Sequence, residues 1–169
     1  MSTWGILGCG TIANEMAETF IKMGHEIYGV SNRTLEKAEK FAETYGVKHV
    51  FKTYEEMLAD EKIDIIYIAT PHSRHYENMM QAVKAGKHVL CEKAITVNAA
   101  QLEEVLKLAE KKHVVVREAM TISHMPLYKK LKERIKEGAI GKTKMVQVNF
   151  GSNKGYDSTN RFFALEAAG

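Results

Sequence analysis

Residues 4–13 read Trp4-Gly5-Ile6-Leu7-Gly8-Cys9-Gly10-Thr11-Ile12-Ala13, and no other stretch limits the possible folds as tightly. The apolar run 4–7 predicts a buried strand. It passes directly into Gly8-x-Gly10-x-x-Ala13, followed by a helical pattern with Ile12, Met16 and Phe20 on one face. Strand, glycine turn and helix start, in that order, form a dinucleotide-binding fingerprint. Gly8 permits the tight turn, Gly10 lets a pyrophosphate approach the backbone, and Ala13 lets the helix pack close to the strand. Free N–H groups of the turn, with Cys9, Thr11 and Ile12 completing it, then meet the phosphates at the positive end of the helix dipole. The alternative is a tight strand–helix turn with no ligand. Context argues against it: a second strand, 26–30, ends near Asn32, 22 residues after Gly10 and close to where a ribose-reading residue belongs.

The same alternation continues. A helix is predicted over 34–45, with Leu35, Ala38, Phe41, Ala42 and Tyr45 at helical spacing and Gly46 as its stop. A short strand follows at 49–51. Thr53 and Glu56 form a capping box for a brief helix to about 59. Residues 63–69 are the clearest buried strand, ended by Thr70-Pro71. Ser73 is expected to cap a helix carrying Tyr76, Met79, Met80 and Val83, closed by Gly86. A strand at 88–91 leads to Glu92-Lys93. Asn98 caps a helix with Leu102, Val105, Leu106 and Ala109 on one face, and a sixth strand, 114–116, runs on to Glu118. Six strands alternating with helices predict an α/β fold, a doubly wound parallel sheet of Rossmann type in the order 3-2-1-4-5-6, over residues 1–120. In such sheets ligands bind beyond the carboxyl ends of the strands. Segments 8–13, 31–33, 70–75, 92–93 and 118–119 all lie at those ends and are expected to converge on one crevice.

The pattern changes after residue 120. Pro126 opens a basic helix with Leu127, Leu131 and Ile135 on one face and Gly138 as its stop. A strand is predicted at 143–150, with Val146, Val148 and Phe150 on one side, before a polar, glycine-containing stretch. One strand and a loop do not make a domain, so residues 121–169 read as the truncated start of an α+β second domain. An unpaired strand there is expected to drive self-association, giving a homo-oligomer.

Composition excludes some function classes. With 169 residues, 45% of them apolar, a sizeable core is possible. The net charge of +3 comes from well-mixed residues with no basic block, so no nucleic acid partner is expected. No apolar run approaches the ~18 residues of a membrane span, so no membrane partner is expected either. Cys9 and Cys91 lack metal-ligand spacing, so no metal is expected. The absence of a signal-like start and the sparse cysteines point to a cytoplasmic setting.

Four stretches together carry a family resemblance: residues 8–13; Ala69-Thr70-Pro71-His72-Ser73-Arg74-His75; Ala85-Gly86-Lys87-His88-Val89-Leu90-Cys91-Glu92-Lys93; and Glu118-Ala119-Met120. With them the chain resembles the N-terminal half of the Gfo/Idh/MocA oxidoreductases, over essentially its whole length. It leans toward members similar to dimeric dihydrodiol dehydrogenases and sugar dehydrogenases. The resemblance implies hydride transfer between a nicotinamide cofactor and a hydroxyl or carbonyl of a sugar, cyclitol or diol. It places Lys93 near the nicotinamide and the reacting oxygen, where an ammonium can hydrogen-bond a developing alkoxide and relay its proton. The alternative for Lys93 is a surface salt bridge with Glu92. Thr70, Pro71, His72, His75, Glu92 and Glu118 are candidate crevice residues. For His72 and His75 a structural role is the alternative, and for Glu118 an ion pair.

Two departures from the family pattern matter. Ala94 stands where the family has proline, and the family's catalytic histidine belongs to a segment this chain does not include. The chain is therefore expected to bind cofactor and to be inactive by itself. The end of the second strand, Ser31-Asn32-Arg33, carries no acid. NAD sites place an acid there, whereas a 2′-phosphate needs an arginine and hydroxyl donors. NADP is therefore the expected cofactor, with NAD possible; Arg33 as a merely solvated residue is the alternative. A non-catalytic NADP-binding module or redox sensor is the rival function. An S-adenosylmethionine methyltransferase would need an acidic residue after strand two, and Asn32 argues against it.

Overall fold

The structure, a computed structural model, describes residues 2–149, 151, 155 and 156. Its elements are β1 (Trp4–Leu7), α1 (Thr11–Lys22), β2 (Ile27–Ser31), α2 (Leu35–Tyr45), β3 (His49–Phe51), α3 (Tyr54–Ala59), β4 (Ile65–Ile68), α4 (His75–Lys84), β5 (His88–Cys91), α5 (Ala99–Lys112), β6 (Val116–Glu118) and α6 (Pro126–Lys136). The six strands form one parallel sheet in the order β3-β2-β1-β4-β5-β6. This is the doubly wound Rossmann order expected from the alternation.

Successive strand residues face opposite sides, and each side has its own core. On one, Ile6, Val30, Tyr67 and Ala69 pack with Ala13, Ala17 and Phe20 of α1 and with Ala38, Phe41 and Ala42 of α2. On the other, Leu7, Ile66, Ile68, Val89 and Cys91 pack with Met79, Ala82 and Val83 of α4, Val105 and Ala109 of α5, and Met57 and Leu58 of α3. Both faces of the sheet are covered, as a parallel sheet requires.

The caps match the sequence where side chains write them. The Thr53 hydroxyl accepts from the Glu56 N–H at 3.1 Å, and Asn98 Oδ1 accepts from the Gln101 N–H at 3.0 Å. Other expectations shift. α1 buries Ala13, Ala17 and Phe20 rather than the face centred on Ile12 and Met16, because only small side chains let a helix lie against β1. Ser73 caps nothing. Residues His72–Arg74 make a 3₁₀ turn, and α4 starts at His75 without a side-chain cap. The sixth strand is Val116–Glu118, two residues later than its apolar run.

By its contacts the chain divides between Ala119 and Met120. In the second unit, α6 follows a 3₁₀ turn, Thr121–His124, and buries none of its residues. The strand expected at 143–150 is absent from its described part: residues 143–149 are irregular and exposed. A strand needs a partner ladder, and no described strand of the second unit supplies one. The edge through which self-association was expected is therefore not formed there. Phe150 and most of the tail lie outside the described residues. No described helix is long and apolar enough to cross a membrane.

Candidate cofactor site

The glycine turn is closed by backbone geometry. Gly8 has φ +95°, and a Cβ there would lie 2.8 Å from the Ala69 carbonyl oxygen. Only glycine allows β1 to turn so close to the end of β4. The Gly8 N–H donates to the Ser31 carbonyl at 2.9 Å, tying the turn to β2. Gly10 has the opposite surroundings: a Cβ there meets nothing within 4 Å. It is the N-cap of α1, whose start no side chain caps. Exposed Gly10, Thr11 and Ile12, with buried Ala13 behind them, leave an uncapped helix start facing open space. An approaching anion meets no Cβ at Gly10. The residues present therefore fit a dinucleotide pyrophosphate.

Asn32 is half-buried and braces the turn. Its Oδ1 accepts from the Cys9 N–H at 3.2 Å and its Nδ2 donates to the Thr34 carbonyl at 2.9 Å. The Cys9 amide is thus already paired. Its thiol is pushed up to about 12 by burial, with Lys37 pulling the other way, and is a poor nucleophile. Ser31 faces inward: it is fully buried and its hydroxyl donates to the Phe51 carbonyl at 3.1 Å. Arg33 is exposed. Two residues that the sequence reading passed over share this end. The Tyr54 phenol, raised by burial, lies against the Arg33 backbone and feels the Cys9 thiol. Exposed Lys37, on α2, adds a second positive charge near the turn. Neither had a motif to announce it; both arrive by the folding of α2 and α3 onto the ends of β2 and β3.

The other end of the crevice is built from side chains. At the end of β4, Thr70 is buried and its hydroxyl accepts from Asn78 Nδ2 at 2.8 Å. Pro71 is exposed and leads into the 3₁₀ turn. The His72 ring, half-buried, stands edge-on to His75 with centroids 5.9 Å apart. His75 is fully buried. Its Nδ1 lies 2.8 Å from the Ala94 carbonyl oxygen and its Nε2 lies 2.9 Å from that of Thr70. Its side chain does not open onto the crevice, because both ring nitrogens are engaged by backbone.

Glu92 is buried, and its Oε1 accepts from the Tyr67 phenol at 2.7 Å. Burial and this carboxylate hold the Tyr67 phenol well above its usual range. The other oxygen accepts from the Lys93 N–H at 3.3 Å. Glu118 Oε1 accepts from the Ile95 N–H at 3.0 Å. Lys93 itself is exposed, and among the described residues its ammonium makes no ion pair; Glu92 is turned to Tyr67 instead. The Lys93–Ala94 peptide is cis. No group of three or more metal-ligating side chains assembles among the described residues. A cavity of about 290 Å³, lined by Trp4, Phe20, Met23, His25 and Ile65, lies at the amino ends of the strands, away from this crevice.

A family model described as an oxidoreductase family with NAD-binding Rossmann fold, Gfo/Idh/MocA, matches residues 2–120. The chain belongs to this family. Among its relatives, a trans-1,2-dihydrobenzene-1,2-diol dehydrogenase of Xenopus tropicalis is 32% identical over 151 residues, covering 88% of this chain and 46% of the relative. A D-xylose 1-dehydrogenase (NADP(+)) of Hypocrea jecorina is 40% identical over 161 residues, 82% of this chain and 39% of that one. A solved structure of a point mutant of KijD10, a 3-ketoreductase from Actinomadura kijaniata, in complex with TDP-benzene and NADP superposes with a TM-score of 0.76 at 28% identity. It covers 83% of this chain and 44% of that one. The chain thus spans less than half the length of these relatives.

Proposed function

We propose that this chain is the cofactor-binding part of an NADP(H)-dependent oxidoreductase acting on a hydroxyl or carbonyl of a sugar, cyclitol or diol. The observation that carries the cofactor choice is the end of β2: no acid, exposed Arg33, and Lys37 and Tyr54 close to the glycine turn. Gly10, Thr11 and Ile12 would hold the pyrophosphate, and Arg33 the 2′-phosphate. When bound, NADP supplies the acceptor or donor of hydride. Lys93 would hydrogen-bond the reacting oxygen and relay its proton, a reading supported by its exposure and by its having no ion pair among the described residues. The dihydrodiol and xylose dehydrogenases among its relatives support the substrate class.

Calorimetric titration with NADPH and NADH tests the reading. NADPH is expected to bind more tightly, and Arg33→Asp to lower NADPH affinity about tenfold or more, since a charge-assisted hydrogen bond is worth roughly 1.5–3 kcal/mol. An unchanged NADPH-to-NADH ratio in Arg33→Asp would remove Arg33 from the site. The second reading is a non-catalytic NADP-binding module, supported by the family model's matching the NAD-binding fold over residues 2–120. On either reading the 169-residue chain binds NADPH. Lys93-dependent turnover of a polyol by this chain alone would exclude the second.

A further inference from the structure

We propose that His75 is a positioning residue for Lys93, holding the turn that follows β5 through the backbone carbonyl of Ala94. This rests on the reading of Lys93 as the proton-relaying group. Three side chains grip the turn around Lys93. Glu92, anchored by the Tyr67 phenol of β4, accepts from the Lys93 N–H. Glu118, ending β6, accepts from the Ile95 N–H at 3.0 Å. His75, opening α4, reaches the Ala94 carbonyl between those two points at 2.8 Å. Of the three grips only His75 acts on a carbonyl, and its other nitrogen lies 2.9 Å from the Thr70 carbonyl, two residues past the end of β4. Thr70 is itself fixed by Asn78, one helical turn after His75, at 2.8 Å.

The arrangement answers a local weakness. Ala94 lacks the ring that would hold the backbone beside Lys93, and both Lys93 and Ala94 are exposed, so packing does not hold them. The aim of the lysine is then set by hydrogen bonds to its neighbours' backbone. His75 is well suited because it is fully buried and rigidly seated on the first turn of α4. A neutral imidazole donates from one nitrogen at a time and the doubly protonated ring from both. Two amide side chains separate the contacts. The Asn amide nitrogen falls near the position of Nδ1 and can keep the bond to Ala94. The Gln amide nitrogen falls near Nε2 and can keep only the bond to Thr70.

The test compares His75→Gln with His75→Asn in the full 169-residue chain, by hydrogen exchange of single amides. In His75→Gln the Ile95 amide is expected to exchange about tenfold faster, the loss of one hydrogen bond's worth of local protection, with Ile66 and Val89 unchanged. In His75→Asn the Ile95 rate stays near that of the parent. The Gln variant should also weaken NADPH severalfold while leaving 2′,5′-ADP, which lacks the nicotinamide, unaffected. Equal Ile95 rates in the two variants, or a rise shared with Ile66 and Val89, would reduce His75 to a core residue and overturn the proposal. Failure of the parent chain to bind NADPH would sink the functional reading instead, and the exchange comparison would still decide the clamp. If His75→Gln does not fold, the unsubstituted chain carries the test. Its ring Nδ1–H should show nuclear Overhauser contacts to Ala94 and Ile95 protons, and their absence overturns the clamp.

Discussion

The two ends of the crevice are built on different principles. At the glycine turn, residues adjacent in sequence make a surface of backbone: Gly8 at φ +95°, Gly10 facing open space, and an uncapped helix start. At the Lys93 turn, residues 19 to 25 positions apart are drawn together by side chains: His75 on Ala94, Tyr67 on Glu92, Glu118 on Ile95. The first end turns on residue type at Gly8, where the Ala69 carbonyl excludes a Cβ. The second tolerates an unusual residue, Ala94, because remote side chains supply what the local backbone does not. Backbone recognition belongs to the part of the site proposed to meet a constant ligand group. Side-chain suspension belongs to the part proposed to do chemistry.

The largest effect expected at the glycine turn concerns Cys9. Burial pushes its thiol from 9.0 up to about 12, so near pH 8 its thiolate fraction is about a thousandfold below that of an ordinary thiol. In a Cys91→Ala background, iodoacetamide should label native Cys9 two to three orders of magnitude more slowly than the urea-unfolded chain. The sign is fixed by the raised value: reactivity stays low through pH 9 and climbs only toward pH 12. Ordinary reactivity at pH 8 would mean that the turn is far more open than the turn geometry described above.

Next comes the pair Gly8→Ala and Gly10→Ala, which splits folding from binding at a single motif. Alanine at 8 forces a side chain into a left-handed conformation and against the Ala69 carbonyl 2.8 Å away, a loss of at least about 2 kcal/mol. Alanine at 10 meets nothing within 4 Å. It should leave the urea midpoint unchanged while lowering NADPH affinity. Equal stability losses in the two variants would break the distinction between a glycine required by the fold and one required by the ligand.

That distinction also explains what could be read in the sequence. The glycine turn and the caps at Thr53 and Asn98 were legible because local spacing writes them, and the sheet order because strands and helices alternate along the chain and right-handed crossovers leave few orders open. The inward turn of Ser31 and His75 was not. Both sit at strand ends that face the crevice, and only the positions of the Phe51, Thr70 and Ala94 carbonyls decide where their side chains go. Tyr54 and Lys37 were missed for the same reason. The expected strand at 143–150 failed differently: its alternation was real, but alternation specifies a face and not a partner.

Tyr67→Phe probes the suspended end with a smaller effect. It removes the phenol that donates to Glu92 at 2.7 Å and leaves a buried carboxylate short of a donor, a cost of about 1–3 kcal/mol. Urea unfolding should show the loss. Water entering beside Glu92 would reduce it, and a loss near zero would mean that Glu92 is solvated in place and does not depend on Tyr67.

Glu118→Gln is the finest of these probes, because it keeps the acceptor and changes only the charge. The Gln side-chain oxygen can still accept from the Ile95 N–H, now held at 3.0 Å by a carboxylate. Exchanging a charged for a neutral acceptor weakens such a bond by about 1 kcal/mol. The expected net change is a loss of no more than about 1 kcal/mol, with Ile95 exchange little altered. A loss as large as that of Tyr67→Phe would show that charge, and not the placement of an acceptor, holds the Lys93 turn against β6. A gain in stability would show that the carboxylate is kept there at a cost to the fold, as expected of a group retained for the chemistry beside it.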